Sequence, residues 1–238
     1  MAKIIRTEVT LHNSVQEAFN EKFTTFIKEK TGLDWYSLSS KDKYLVFSKV
    51  VKSCKRCDNC DMFPKILPRY NPDPKLLLVS RAVTNKDIKT LEILSEAHPT
   101  YSIIKKIAQS FNISVQDCYY TNISLCGSPK VNSLTESNFK QCSLYKELEF
   151  SSITLPKVII LLGNDAFNIF FGKNVSVNSI LGNAYIAEYF GEERLFIPLP
   201  HPVTLLRDEE LYKDSFTVVN YYSDMVVKLV GQENSRVR

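Results

Sequence analysis

The sequence predicts an α/β fold of three layers, α/β/α, around a mostly parallel central sheet. Two observations carry that prediction. Lys75–Val79 and Val158–Leu162 are short apolar runs without polar alternation, the pattern of parallel strands covered on both faces. Segments of helical periodicity also alternate with strand-like ones, the order that βαβ units need.

Size and composition set the frame. At 238 residues the chain suits one good-sized domain with room for a small appendage. Hydrophobic residues at 44% and charged residues at 24% describe an ordinary globule. No run of 18 apolar residues exists, so no membrane span and no membrane partner are expected. The start, MAKIIRTEV, lacks the apolar segment of a secretory leader, so a cytoplasmic protein is expected. Six cysteines in such a compartment argue for metal or redox roles before disulfides. A net charge of +4 and a pI of about 8.6 are compatible with a nucleic-acid partner and do not establish one. A monomer is expected.

The elements follow in order. Residues 13–31 read as an amphipathic helix, with Ser14 and Glu17 as a capping box, Val15, Phe19, Phe23, Phe26 and Ile27 on one stripe, and Gly32 as its end. More helix is expected up to Ser53. Residues 1–50 are read as an N-terminal helical extension and 51–238 as the α/β domain; the alternative is that 1–50 form the first layer of the core. Cys54–Pro74 is loop, punctuated by Pro64, Pro68, Pro72 and Pro74. The strand at 75–79 leads into a polar, irregular stretch over 80–98. A helix is predicted from Tyr101 to Phe111, a strand over 118–124, and a helix marked by Phe139, Cys142, Tyr145 and Leu148. Val158–Leu162 closes at Gly163, and a short helix from Ala166 to Phe171 ends at Gly172. Strands are predicted at Tyr185–Phe190 and Leu195–Leu199, the second running into Pro200-His201-Pro202. The last helix is predicted over Glu209–Val230, with the tail beyond it fraying.

Cys54, Cys57, Cys126 and Cys142 are separated by two, 68 and 15 residues. A CxxC pair plus two distant cysteines can supply four thiolates to one centre, a structural zinc or a [4Fe–4S] cluster. The bland alternative makes Cys126 and Cys142 small buried hydrophobes. Cys60 forms a second CxxC with Cys57 and competes as a ligand, whereas Cys118, inside a strand, reads as core.

At this point the chain resembles the iron–sulfur uracil-DNA glycosylases, families 4 and 5 of that superfamily, over roughly residues 45–210. The family's C-x-x-C-x-x-C is met by Cys54, Cys57 and Cys60. Its Y-x-T-N strand and C-x-x-P turn are met by Tyr119-Tyr120-Thr121-Asn122 and Cys126-Gly127-Ser128-Pro129, with Cys142 beyond. Its K-V-I-V-x-L-G run is met by Lys157–Gly163, and its H-P-S/A-x-L-L-R by His201-Pro202-Val203-Thr204-Leu205-Leu206-Arg207. The resemblance implies a uracil-DNA-glycosylase-like fold, DNA as partner, and [4Fe–4S] ligation by Cys54, Cys57, Cys126 and Cys142 with Cys60 spare. Where the family has a GEAPG-like loop whose carboxylate helps catalysis, this chain has Ser80-Arg81-Ala82-Val83-Thr84. The acid has become Arg81 and the glycines are gone. The family's stacking phenylalanine falls on Ser95 or Glu96.

The chemistry assigns roles to residues. A base inside a duplex must be flipped out before it can be attacked, at a cost of a few kcal/mol. Asn122 can read the edge of the flipped base, because an amide offers both donor and acceptor. His201 is the candidate catalytic donor to the base oxygen as the leaving anion forms; by itself, a histidine before proline reads as a surface residue. Leu205 or Leu206 would wedge into the vacated stack, and Arg207 would meet a phosphate. Ser80, Arg81 and Asn85 are candidate substrate contacts. A carboxylate near the sugar would stabilise the cation or orient water. Asp87, the nearest acid in the altered loop, is the candidate; Asp165 is the alternative.

The sequence thus reads as a DNA glycosylase that excises a modified pyrimidine and leaves an abasic site. A bulky 5-substituted cytosine, such as a glucosylated one in phage DNA, would use the room left by the missing aromatic, and would make the protein an antiviral defence enzyme. The alternatives are an ordinary uracil-DNA glycosylase in repair, a non-catalytic DNA-binding relative, and a structural zinc protein.

Overall fold

The computed structural model describes residues 2–9, 24–25, 28–29, 32, 34–57, 64–127, 134–143 and 145–236. Six strands form one sheet: β1 (Lys3–Arg6), β2 (Leu76–Ala82), β3 (Cys118–Ser124), β4 (Val158–Leu162), β5 (Asn183–Tyr189) and β6 (Glu192–Leu199). Their order is β1-β5-β6-β4-β2-β3. The four neighbours β6, β4, β2 and β3 are mutually parallel, and β5 runs antiparallel to β6. β1 lies parallel to β5 at the edge. The helices are α1 (Ser40–Lys52), α2 (Asn85–Thr90), α3 (Tyr101–Ser110), α4 (Glu136–Ser143), α5 (Lys146–Phe150), α6 (Asn164–Phe171), α7 (Pro202–Leu205) and α8 (Glu209–Arg236).

The continuous apolar runs divide between two cores because successive strand side chains point to opposite faces. Leu76, Leu78, Ile160 and Leu162 pack with α1, α3 and α8 through Phe47, Ile104, Ile107, Val219 and Tyr222. Leu77, Val79, Ile159 and Leu161 pack with α4, α5 and α6 through Phe139, Phe150, Phe167 and Phe170. Most of these side chains are fully buried, at about 1.5–3 kcal/mol each. Three layers are therefore a consequence of strands that are apolar on both faces.

Several expectations change in detail. The strands and their order along the chain are found, but the 80–98 stretch contains α2, and the region around Cys142 divides into α4 and α5. Hairpin β5–β6 turns on Phe190 and Gly191, both at positive φ, the requirement of a two-residue primed turn. The last helix continues through Arg236 instead of fraying after Val230. The predicted helix over 13–31 lies largely outside the described residues. Thr24-Thr25 and Lys28-Glu29 are helical, and the Gly32 N–H donates to Lys28 O at φ 70°, a helix end. The division at residue 50 needs correcting: β1 completes the sheet, and Trp35 and Phe47 are buried in the same core as α3 and α8. Burial of those aromatics makes the described part of 1–50 a component of the domain.

Candidate active site

The chain enters the parallel sheet at β2, places β3 on one side, and returns to place β4 on the other. Crevices outside the carboxyl ends of strands at such a reversal are where α/β sheets bind ligands. Here the exits of β2, β4 and β6 border a cavity of about 610 Å³ lined by Arg81, Thr84, Asn164, Asp165, Ser176, Asn178, His201, Thr204 and Arg207 among others. That volume is ordinary for a ligand pocket. Among the described residues, no Phe, Tyr or Trp lines it.

His201 follows β6 and caps α7, with Pro202 in the first turn. The Val203 N–H donates to His201 Nδ1 at 3.3 Å, which leaves the ring proton on Nε2. Nε2 sits 3.2 Å from Ser80 Oγ at the end of β2, so this N–H donates to the serine. Ser80 is in turn hydrogen-bonded to Tyr120, whose phenol burial pushes well up. Burial, then the charges of Arg81 and His98, lower the His201 pKa to about 4. The imidazole is therefore neutral at neutral pH, with one N–H aimed at the site. Gly163 makes this position possible. It has φ +91°, and a Cβ there would lie 3.2 Å from His201 Cβ. Asn122 is in register with Ser80 across β2–β3 and is 2% exposed. It is not among the residues that line the cavity.

The acids separate clearly. Asp87 is 3% exposed and closes a capping box on α2: Thr84 N and Oγ1 donate to its Oδ2 at 2.8 and 2.7 Å, and Leu94 N donates to Oδ1 at 3.0 Å. It is absent from the cavity wall, so its assignment as the catalytic acid is corrected: its oxygens are consumed in holding the loop. The signal was present in the sequence, since Thr84-Asn85-Lys86-Asp87 carries the spacing of a capping box. Asp165, in the first turn of α6, does line the cavity. Its Oδ2 lies 2.9 Å from Arg81 Nε. That nitrogen lacks an aligned hydrogen bond, so the contact is an ion pair by distance alone. The guanidinium also lies over Phe139, 5.5 Å from the ring centroid. Asn85 is exposed at the start of α2 and does not line the cavity. Leu205 is 3% exposed and belongs to the core, whereas Leu206 is 45% exposed, and Arg207 reaches the cavity wall. Asn164, Ser176 and Asn178 had no motif to mark them; the fold alone brings them to the wall.

Cys54, Cys126 and Cys142 are buried and Cys57 partly so. A bridge between Lys65 and Cys126, with Ile66 N donating to Leu125 O at 3.0 Å, ties the segment after the CxxC to the exit of β3. Cys126 and Cys142 share a hydrogen bond that lowers the Cys142 pKa and raises that of Cys126, which also feels the charges of Cys57 and Cys54. The four thiols thus face one another. Among the described residues no three potential ligands stand close enough to hold a single metal ion. An all-thiol donor set suits either a structural zinc or an iron–sulfur group. Cys118 lies at the opposite end of β3, its Sγ 3.5 Å from Ser114 O, and its pKa is pushed up to about 12 by burial. Cys60 lies outside the described residues.

The carboxyl end of this parallel-centred sheet thus carries a histidine N–H and a carboxylate beside one cavity. The chain belongs to the uracil DNA glycosylase superfamily, whose profile matches residues 67–225. That family is one of DNA glycosylases, hydrolases of N-glycosidic bonds. The chain is 24% identical over 170 residues to a type-4 uracil-DNA glycosylase of Archaeoglobus fulgidus, covering 69% of this chain and 83% of that one. It is 24% identical over 169 residues to a type-4 uracil-DNA glycosylase of Saccharolobus solfataricus, covering 68% and 77%.

Proposed function

We propose that the protein excises a flipped pyrimidine from DNA and that this base is bulkier than uracil. The observation carrying the reading is the neutral His201 N–H beside Ser80, at the mouth of a polar cavity. The base enters that cavity, and Asn122, in register with Ser80 on the neighbouring strand, would read its edge where the base reaches past the wall. His201 Nε2–H leaves Ser80 and donates to the base oxygen, where charge builds up as the C1′–N1 electron pair departs with the base. Asp165, held by Arg81, faces the sugar and takes a proton from the water that attacks C1′. Leu206 fills the vacated stack and Arg207 contacts a flanking phosphate. Cys54, Cys57, Cys126 and Cys142 would hold a [4Fe–4S] cluster, which, when bound, cross-links the CxxC segment to β3 and α4. Supporting the larger substrate are Arg81 in place of the family's acid and a cavity wall that, among the described residues, has amides and hydroxyls but no Phe, Tyr or Trp. A 5-substituted cytosine with hydroxyl groups, as in phage DNA, matches that lining, and defence against such DNA is the role it implies.

The test is excision from matched duplexes containing uracil or a bulky 5-substituted cytosine, read as alkali-labile breaks. Cleavage of the substituted base with little at uracil is expected. Strong cleavage at uracil alone would return the protein to ordinary base-excision repair.

A further inference from the structure

A second groove, of about 500 Å³, borders β3, the edge strand of the sheet. That volume is in the range of ligand pockets. Cys118 and Tyr120, alternate residues on one face of β3, line it. Tyr70 lies against Tyr44 with ring centroids 4.7 Å apart, and the Tyr44 hydroxyl donates to Pro68 O at 2.5 Å, so the Tyr70 ring is held in place. Tyr101 begins α3, and its hydroxyl donates to Glu96 Oε1 at 3.3 Å. Burial, then the charges of Glu96 and Glu92, raise the Tyr101 pKa, so both carboxylates converge on that phenol. Among the described lining residues these two carboxylates face one guanidinium, that of Arg69, a balance that disfavours a phosphate. Aromatic faces beside carboxylates and amides suit a neutral group with many hydroxyls. The rings cover its C–H faces, and the polar side chains exchange hydrogen bonds with its hydroxyls.

The groove meets the candidate site at Tyr120. That residue is hydrogen-bonded to Ser80, whose Oγ lies 3.2 Å from His201 Nε2. Asn122, two residues beyond Tyr120, shares its face of β3. His201 follows β6, and β6 and β3 are three strand spacings apart, at about 4.8 Å each. Cytosine carries its one carbonyl oxygen on C2, and C5 is the opposite corner of the ring. A cytosine that accepts from His201 at that oxygen and is read by Asn122 therefore turns C5 away from β6, toward Tyr120 and the groove behind it. We infer that this groove is the subsite for a neutral glycosyl group carried on C5, covered by the Tyr101 ring and held through its hydroxyls by Glu92 and Glu96. The inference rests on the glycosylase reading above and names where the substituent is recognised.

The test uses Glu92→Ala and Tyr101→Ala in the full chain, with matched duplexes containing 5-hydroxymethylcytosine or its glucosylated form. Glu92 is exposed, so its replacement leaves the core intact. Excision is followed as alkali-labile breaks and duplex affinity by fluorescence anisotropy. Each variant should lower kcat/KM on the glucosylated base about tenfold or more, the weight of one hydrogen bond to a charged group, and mainly through KM. Affinity for the glucosylated duplex should fall with it, while affinity for the hydroxymethylated duplex stays within about twofold. Unchanged excision of the glucosylated base by both variants, or an equal loss of affinity for the two duplexes, overturns the subsite. Were the natural protein to cleave neither duplex, the glycosylase reading would fail separately. Affinity would then decide: the natural protein should hold the glucosylated duplex more tightly and Tyr101→Ala should erase the difference. Equal affinities in the natural protein, or a difference that the variant keeps, overturns the subsite.

Discussion

His201 is a donor because its ring is neutral and its Nδ1 is occupied by the Val203 N–H. With a folded pKa near 4, kcat/KM should hold steady as pH falls through 6.5 and drop only toward pH 4. A break at 6.5 that disappears in His201→Gln would contradict a buried neutral donor. Gly163 tests the same arrangement from behind. Gly163→Ala puts a Cβ 3.2 Å from His201 Cβ on a backbone at φ +91°. It should cost about 1–3 kcal/mol of stability from strain and lower activity by displacing the imidazole. The two aspartates separate by experiment. Asp165→Asn should slow cleavage ~10²-fold or more with little change in melting temperature. Asp87→Asn should instead lower stability by about 1–3 kcal/mol, because three donors lose an ionised acceptor.

Among the elements, the exit of β3 and the end of α4 bring Cys126 and Cys142 to the CxxC segment. A group shared by the four thiols would add to the Lys65–Cys126 bridge that already ties that segment to β3. Cys142→Ser should lose iron and acid-labile sulfide and lower the melting temperature, since metal binding is coupled to folding. Cys118→Ser should keep both, because its thiol sits at the other end of β3. Iron retained by Cys142→Ser would remove that residue from the ligand set.

At the scale of the whole molecule, buried ionisable groups set the response to pH. Burial raises the Glu147 pKa to about 8, so the folded state holds a proton that the unfolded chain releases. Its contribution is complete below the ordinary carboxyl value and is lost as pH rises through 8. His201 works in the opposite sense, its contribution being present above 6.5 and lost as pH falls through about 4. Below 6.5 the two slopes oppose each other, and between 6.5 and 8 His201 no longer opposes Glu147. Cys142, whose pKa is lowered to about 6, works against Glu147 over pH 6.5–8, so the test is the difference between variants: melting temperature should fall less, or rise more, across that window in Glu147→Gln than in the natural protein. Curves of equal slope would show the Glu147 side chain to be ionised in the fold.

Binary pattern was enough for the sheet's central strands and most of the helices between them, and motif order for the family. Each depends on local chain chemistry: continuous apolar runs, a strand that turns polar at its carboxyl end, short motifs in a fixed order. The parallel pairing of β1 with β5 at the sheet's edge was not legible, because two short strands far apart in the chain pair through a register no local pattern encodes. Nor was the choice between Asp87 and Asp165. Sequence proximity favoured Asp87, but the capping geometry of Thr84 turns that carboxylate inward, while α6 carries Asp165 to the cavity from beyond another strand. Likewise Leu205 and Leu206 are equivalent in sequence, and the rotation of one helical turn against the core buries the first and exposes the second. Such distinctions are made by which face of an element the packing covers, a property of neighbours distant in the chain.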